Sequence, residues 1–181
     1  MFLETERLIL RKLREEDYGD FRAYAADEEM CRMMGRHVLD TEEATARACF
    51  DWLKDKEERG YALILKETGR VIGDLTVTTV PEDLAAREPL AGKQGRSLNF
   101  SISRVYQRQG LMTEALRAVT THLFAEEGLD YVQCGHFDFN AASAKLQKKL
   151  GFVHLTTVEL DFEGFEEKII SVENVLWSSL L

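Results

Sequence analysis

The feature that most restricts how this chain can fold is a change of hydrophobic period within one short stretch. Leu98, Phe100 and Ile102 alternate along RSLNFSIS, the pattern of a half-buried strand. Shortly after, Met112, Leu116, Val119 and Leu123 recur at steps of four, three and four, which is an amphipathic helix facing a core. Between the two lies QRQG, residues 107–110, and Gly128 ends the helix. A strand that passes through a short polar turn into a one-faced helix implies a layered domain, with the helix covering a sheet.

The flanking segments extend that pattern. TERLILRK (5–12) alternates as a strand, and LREEDYGDFRAYAADEEMCRMM (13–34) follows as a helical region. Glu15, Glu16 and Asp17 suit its N-terminus, Phe21, Tyr24 and Ala25 give it an apolar face, and Gly35 ends it. Asp40 or Thr41 caps the next helix, whose expected buried stripe is Ala44, Ala48, Trp52 and Leu53, stopped by Gly60. YALILK and VIGDLTVTTV flank ETGR as a hairpin. Residues 81–96, with both prolines and two glycines, read as a long loop, either functional or a tolerated surface insertion. YVQCGHF (131–137) is a strand. Asn140 then caps a short helix closed by Gly151, with Phe152 at the apolar position of a Schellman motif. VHLTTVEL and KIISVENVL, separated by DFEGFEE, form a final hairpin. The order predicts one α/β (α+β) domain over residues 1–181, with a mostly antiparallel mixed sheet.

Composition narrows the partners. A net charge of −9 repels phosphate backbones and argues against nucleic acid. A cationic or amine-bearing partner suits that field, and so does a chain that is merely kept soluble. Cys31, Cys49 and Cys134 are odd in number and lack metal-like or redox-like spacing, so they read as free thiols in a reducing compartment, with no metal expected. The N-terminus lacks the apolar core of a signal peptide, and no run approaches a membrane span. The expected location is therefore cytoplasmic, without a membrane partner.

QRQG holds the chemistry. A helix N-terminus offers unpaired backbone N–H groups and the positive end of a dipole. Gly110 allows an anion to approach the backbone, and Gln107, Arg108 and Gln109 add donors. These make a phosphate cradle, although a glycine before a helix also serves as a plain turn. Neither GxxxxGK[ST] nor GxGxxG occurs here.

Residues 107–112 resemble the [QR]xxGx[GA] pyrophosphate loop of the GNAT superfamily of acyl-CoA-dependent N-acyltransferases. SLNFSISRVYQRQGLMTEALRAV resembles that superfamily's strand, loop and helix, and GHFDFNAASAKLQKKLGF a second family segment. ETERLILRKLREEDYGDF is similar to the opening of the ribosomal-protein-alanine-acetyltransferase-like branch. The resemblance implies about seven strands, with strands near 98–103 and 131–137 splaying to admit acetyl-CoA. It implies a pyrophosphate held by backbone N–H groups of Gln107, Arg108, Gln109, Gly110, Leu111, Met112 and Thr113, and pantetheine amides against a strand edge near Ile102 and Ser103. Asn140 matches a cofactor-contacting asparagine, and Ser143 a serine proposed to protonate the departing thiolate. The acceptor would be an amine: a protein N-terminus, a polyamine or an amine-bearing antibiotic. A homodimer and a monomer both stay open.

Two positions depart from the family pattern. Met112 stands where glycine or alanine is preferred, so its side chain should turn into the core. Ser97 stands where many relatives carry a glutamate base. Asp74, His136 and Asp138 are substitutes, the last two sharing one face of an extended segment, although His136 also reads as a structural histidine. Direct attack on a thioester requires a neutral amine, and a lysine-like amine has a pKa of about 10.4. An oxyanion donor is expected from a strand-edge N–H around Ser101 to Ser103. The absent glutamate also leaves room for a non-catalytic acyl-CoA-binding module on the same scaffold.

Overall fold

The computed structural model describes residues 1–36, 38–55, 60–161 and 168–180. The order is β1 (Leu3–Glu4), β2 (Leu8–Lys12), α1 (Tyr18–Ala25), α2 (Glu28–Met34), α3 (Glu42–Asp55), β3 (Gly60–Leu65) and β4 (Val71–Thr78). There follow α4 (Glu82–Ala85), β5 (Gly95–Ile102), α5 (Leu111–Glu127), β6 (Tyr131–Phe137), α6 (Ala141–Lys149), β7 (Val153–Leu160) and β8 (Ile169–Trp177). The eight strands run β1-β2-β3-β4-β5-β6-β8-β7 across the sheet. The pairs β1–β2, β2–β3, β3–β4, β6–β8 and β7–β8 are antiparallel, whereas β5–β6 is parallel and registers Gly95, Arg96 and Ser97 on Tyr131, Val132 and Gln133. The sheet is therefore mixed and mostly antiparallel, as the sequence pattern requires, with the two-residue β1 added at its edge.

Two compact units share these elements. The first holds Met1–Thr76 and Phe100–Ala115. Its core packs Phe21, Tyr24, Phe50 and Leu53 against Ala62 and Ile64, with Phe21 and Phe50 edge to face at 5.3 Å. The first helical region is broken in two because Asp27 turns to cap: its carboxylate accepts from Met30 N at 2.9 Å and opens α2. Gly35, at φ 60°, ends α2 as expected. Thr41 rather than Asp40 caps α3, accepting from Ala44 N at 3.1 Å. The buried stripe of α3 shares only Leu53 with the expected one. Ala46, Phe50 and Leu53 are buried, while Ala44 and Ala48 are exposed and Trp52 is 51% exposed. Both sets satisfy a helical period. The ring contacts of Phe50 with Tyr18 and Phe21 fix which one faces inward.

The second unit holds Val77–Asn99, Leu116–Asp161 and the strand β8. The 81–96 segment is less free than a loop. It contains α4, and its Leu84 and Leu90 are buried with Tyr131 and Val175. The stripe of α5 is as read from the sequence: Met112, Leu116, Val119 and Leu123 are all buried. The side chain of Met112 does turn inward. After α6 the Schellman closure forms, with Phe152 N donating to Gln147 O at 3.1 Å and Gly151 at φ 90°. The final hairpin is present as β7 and β8, and DFEGFEE between them falls largely outside the described residues.

Candidate active site

The phosphate-loop candidate lies wholly in the first unit. β5 ends at Ile102, a 3₁₀ turn covers Arg104–Tyr106, and α5 begins at Leu111. Ser103 N donates to Ile72 O at 2.8 Å, fixing the exit from the strand. Gln107 Nε2 donates to Ile102 O at 3.2 Å and Gln109 Nε2 to Val105 O at 3.0 Å, so both glutamine side chains brace the loop itself. Arg108 sits at φ 62° and Gly110 at φ 79°. A left-handed non-glycine residue costs energy, and the loop holds one two residues before a left-handed glycine. Glu114 N bonds Gly110 O at 3.0 Å, which leaves Leu111, Met112 and Thr113 as the first turn, where helix geometry supplies no partner for the amide hydrogens. These N–H groups at the head of a 17-residue helix fit a diphosphate.

Arg7 and Glu114 secure this loop, and sequence reasoning passed over both. Arg7 Nη1 donates to Gln109 O at 3.0 Å, and its Nε to Glu114 Oε2 at 2.7 Å. Glu114 Oε1 accepts from Arg7 N at 2.8 Å and from Thr5 Oγ1. Burial pushes the Glu114 carboxyl up, but the bonds from Thr5 and Arg7 outweigh it and hold the group below its ordinary value. An arginine in the bend before β2, more than a hundred positions away, gives no local periodic signal. Only the opposite charge on the first turn of α5 hints at it.

The second unit holds the Asn140 set. Asn140 Oδ1 accepts from Ser143 N at 3.1 Å and caps α6, which leaves the Nδ2 hydrogens for a ligand. Ser143 Oγ accepts from Gln147 Nε2 at 3.0 Å. Gln147 is 1% exposed; its Nε2 also reaches Gly135 O at 3.2 Å, and its Oε1 accepts from Asn174 Nδ2 at 2.8 Å. With its oxygen accepting from Gln147, the Ser143 hydroxyl has its own hydrogen free to donate. His136 Nδ1 lies 2.9 Å from Phe137 O, its own strand's carbonyl. Asp138 is exposed beyond the end of β6, with its N on Ile170 O at 3.0 Å. No hydrogen bond among those of the described residues joins His136 to Asp138.

Three further expectations meet specific partners. Asp74, 2% exposed, accepts from Tyr24 Oη at 3.1 Å, Arg36 Nη2 at 3.1 Å and Ser101 Oγ, so it is the buried counter-ion of the partly buried Arg36. Ser103 N, offered as an oxyanion donor, is engaged by Ile72 O. Ser97 Oγ donates to Gln133 Oε1 at 2.6 Å. Among the described residues no group of three or more His, Cys, Asp or Glu could hold a metal ion, and no helix is long and apolar enough to cross a membrane.

Residues 7–153 match the acetyltransferase (GNAT) domain model. The chain belongs to the GNAT acetyltransferase family. It is 25% identical over 174 residues to the uncharacterized N-acetyltransferase p20 of Bacillus licheniformis, covering 94% of this chain and 92% of that one. It is 27% identical over 154 residues to the uncharacterized N-acetyltransferase YoaA of Bacillus subtilis, covering 83% and 81%. Its fold matches an acetyltransferase (GNAT family) from Bacillus anthracis with TM-score 0.81 at 18% identity, over 99% of each chain. It also matches a ribosomal-protein-S5-alanine acetyltransferase from Vibrio fischeri with TM-score 0.69 at 18% identity, over 96% of this chain and 95% of that one. Within this GNAT chain the glycine-containing loop and the Asn140 cap both stand where the sequence put them, at the N-termini of α5 and α6.

Proposed function

We propose that the protein is an acetyl-CoA-dependent N-acetyltransferase that acetylates a primary amine, a protein N-terminus or a small-molecule amine, by direct attack in a ternary complex. The observation that carries this reading is the backbone of the 107–113 loop, left-handed at Arg108 and Gly110 before a long helix. Acetyl-CoA would supply an activated thioester carbonyl. The amides of Leu111, Met112 and Thr113 hold its diphosphate, with Arg7 bracing the loop from behind. The pantetheine would run past Ile102 and Ser103, where Ile102 O, Ser103 N and Ser103 O already have partners within the protein, and Asn140 contributes its Nδ2 donors. Ser143, its oxygen occupied by Gln147, delivers its hydroxyl hydrogen toward the departing thiolate. Such a thiolate has a pKa of roughly 8.5, so this help speeds departure without being indispensable.

A protein N-terminus leads among acceptors because the opening segment resembles the ribosomal-protein branch, and the fold is shared with the Vibrio fischeri enzyme. The test is free-thiol release from acetyl-CoA with a panel of peptides bearing free N-termini and of polyamines, alongside calorimetric titration with acetyl-CoA. Binding plus acceptor-dependent thiol release supports the reading. Absence of binding refutes it. Ser97, in place of an acidic residue, favours a second reading, an acyl-CoA-binding module; tight binding with no turnover on any acceptor would select it.

A further inference from the structure

Sheet carboxylates in this chain fall into two kinds. Among the described strand residues Glu4 pairs with Lys66, Asp74 with Arg36 and Glu159 with Lys168. Glu173 on β8 is different: its hydrogen-bond donors are neutral. Its Oε1 accepts from Ser171 Oγ at 2.6 Å and its Oε2 from Gln133 Nε2. A carboxylate bound to a guanidinium is a poor proton acceptor, because taking up a proton leaves the cation uncompensated. One held by an amide and a hydroxyl has no such cation to leave behind.

The position of Glu173 gives that distinction a use. Gly135 on β6 is its register partner, and Gln133, two residues back, lies on the same face. Ser97 on β5 registers on Gln133 and donates to its Oε1 at 2.6 Å. Side chains Ser97, Gln133 and Glu173 thus form one hydrogen-bonded row across three adjacent strands. The row begins at Ser97, the last residue of the β5–β6 ladder, and Glu173 itself is only partly buried. Gly135 keeps room beside the carboxylate: a Cβ there would lie 2.6 Å from Glu173 Oε2.

We propose that Glu173 is the general base of this protein, supplying from β8 the carboxylate that Ser97 does not provide on β5, with Gln133 as the positioning residue between them. The assignment rests on the acetyltransferase reading above. The carboxylate takes one proton from the acceptor ammonium, directly or through one water, and leaves a neutral amine. The amine lone pair forms the C–N bond to the thioester carbonyl, the C–S bond breaks, and the sulfur departs with the electron pair. One N–H proton is lost to the thiolate side, and Glu173 returns its proton to solvent. The net products are acetylamide, thiol and one proton.

Titratable neighbours do not compete. The Cys134 thiol on β6 is pushed well above its ordinary value, by burial first and by the Glu173 charge second, so it stays protonated. His136 and His154 register on Val172 and Asn174, whose side chains alternate to the other face of β8. Thr156 on β7 and Gly135 on β6, the register partners of Glu173, carry no charge.

Glu173→Gln tests the assignment, using acetyl-CoA and whichever panel amine the parent protein acetylates fastest. Acetyl-CoA affinity and melting temperature should stay unchanged. Turnover near neutral pH should fall about 100-fold, the scale of a lost general base. The deficit should shrink as pH rises toward the amine's own pKa, about 7.7–8.0 for a peptide N-terminus and about 10.4 for a lysine-like amine, because the amine then deprotonates unaided. A purely structural role would give a deficit independent of pH. Gly135→Ala, which keeps the carboxylate but crowds it, should lower turnover in the same pH-dependent way. Equal turnover of Glu173→Gln and parent overturns the assignment and leaves the acetyltransferase reading intact. A pH-independent loss overturns it as well. No turnover by the parent with any amine overturns the reading beneath it.

Discussion

Replacing Gly110 by alanine isolates the backbone of the loop from its side chains. Gly110 holds φ 79°, and the nearest heavy atom to an added Cβ is Arg7 Nη2 at 3.5 Å, an ordinary contact. Sterics with neighbours therefore add little, and the cost is that of a left-handed alanine, about 1–2 kcal/mol. Where that cost appears depends on how well the loop is organised before ligand arrives. A loop fixed by the Arg7–Gln109 and Gln109–Val105 bonds charges it to folding, lowering the melting temperature by roughly 2–8 °C for a chain of this size. A loop that relaxes when empty charges it to binding, weakening acetyl-CoA by about 5–30-fold. Gly69, at φ 69° in the β3–β4 turn with open space around its Cβ, is the control. Gly69→Ala carries the same backbone cost and should leave acetyl-CoA affinity untouched. Calorimetric titration and thermal melting of both variants separate the cases. Should Gly110→Ala change neither stability nor affinity, the loop does not need its left-handed glycine and the phosphate cradle is wrongly placed. Weakened binding in Gly69→Ala would refute the localisation.

Other perturbations follow from the same geometry. Glu114 has a depressed pKa when folded, so its bonds stabilise the protein above the unfolded glutamate range, and that contribution is lost as pH falls through the folded value. Glu114→Gln should flatten the acid side of the melting-temperature profile, and a profile that stays parallel to the parent's would count against the Arg7–Glu114 clamp. Asp74→Ala leaves Arg36, 13% exposed at its side chain, without its counter-ion; it should cost about 3–5 kcal/mol in chemical denaturation, and a loss below 1 kcal/mol would show the pair to be solvated. Ser143→Ala should slow turnover modestly, by roughly 10-fold or less, with acetyl-CoA affinity held, since the thiolate leaves without it near neutral pH. A loss as large as that of Glu173→Gln would give Ser143 a heavier part.

Local order in the chain was enough to write most of this architecture. Alternation gave β2 and β5, apolar runs beside turn signals gave the other strands from β3 to β8, apolar stripes gave α3 and α5, Asn140 and Gly151 bracketed α6, and the glycines 35, 110, 128 and 151 marked ends that the structure confirms with positive φ. Asn140 as a cap, Met112 turned inward and the glycine-led start of α5 were equally visible, because each depends on residues within a few positions of one another. Tertiary packing decided the rest. Two apolar stripes on α3 satisfy one helical period, and the Tyr18–Phe50–Phe21 ring contacts, not the sequence, put Trp52 outside. The Arg7–Glu114 clamp and the Ser97–Gln133–Glu173 row join residues separated by 107, 36 and 40 positions. No periodicity encodes such pairings. They exist because strand register sets distant side chains beside each other, and a buried polar atom must then find its partner wherever the fold has brought one.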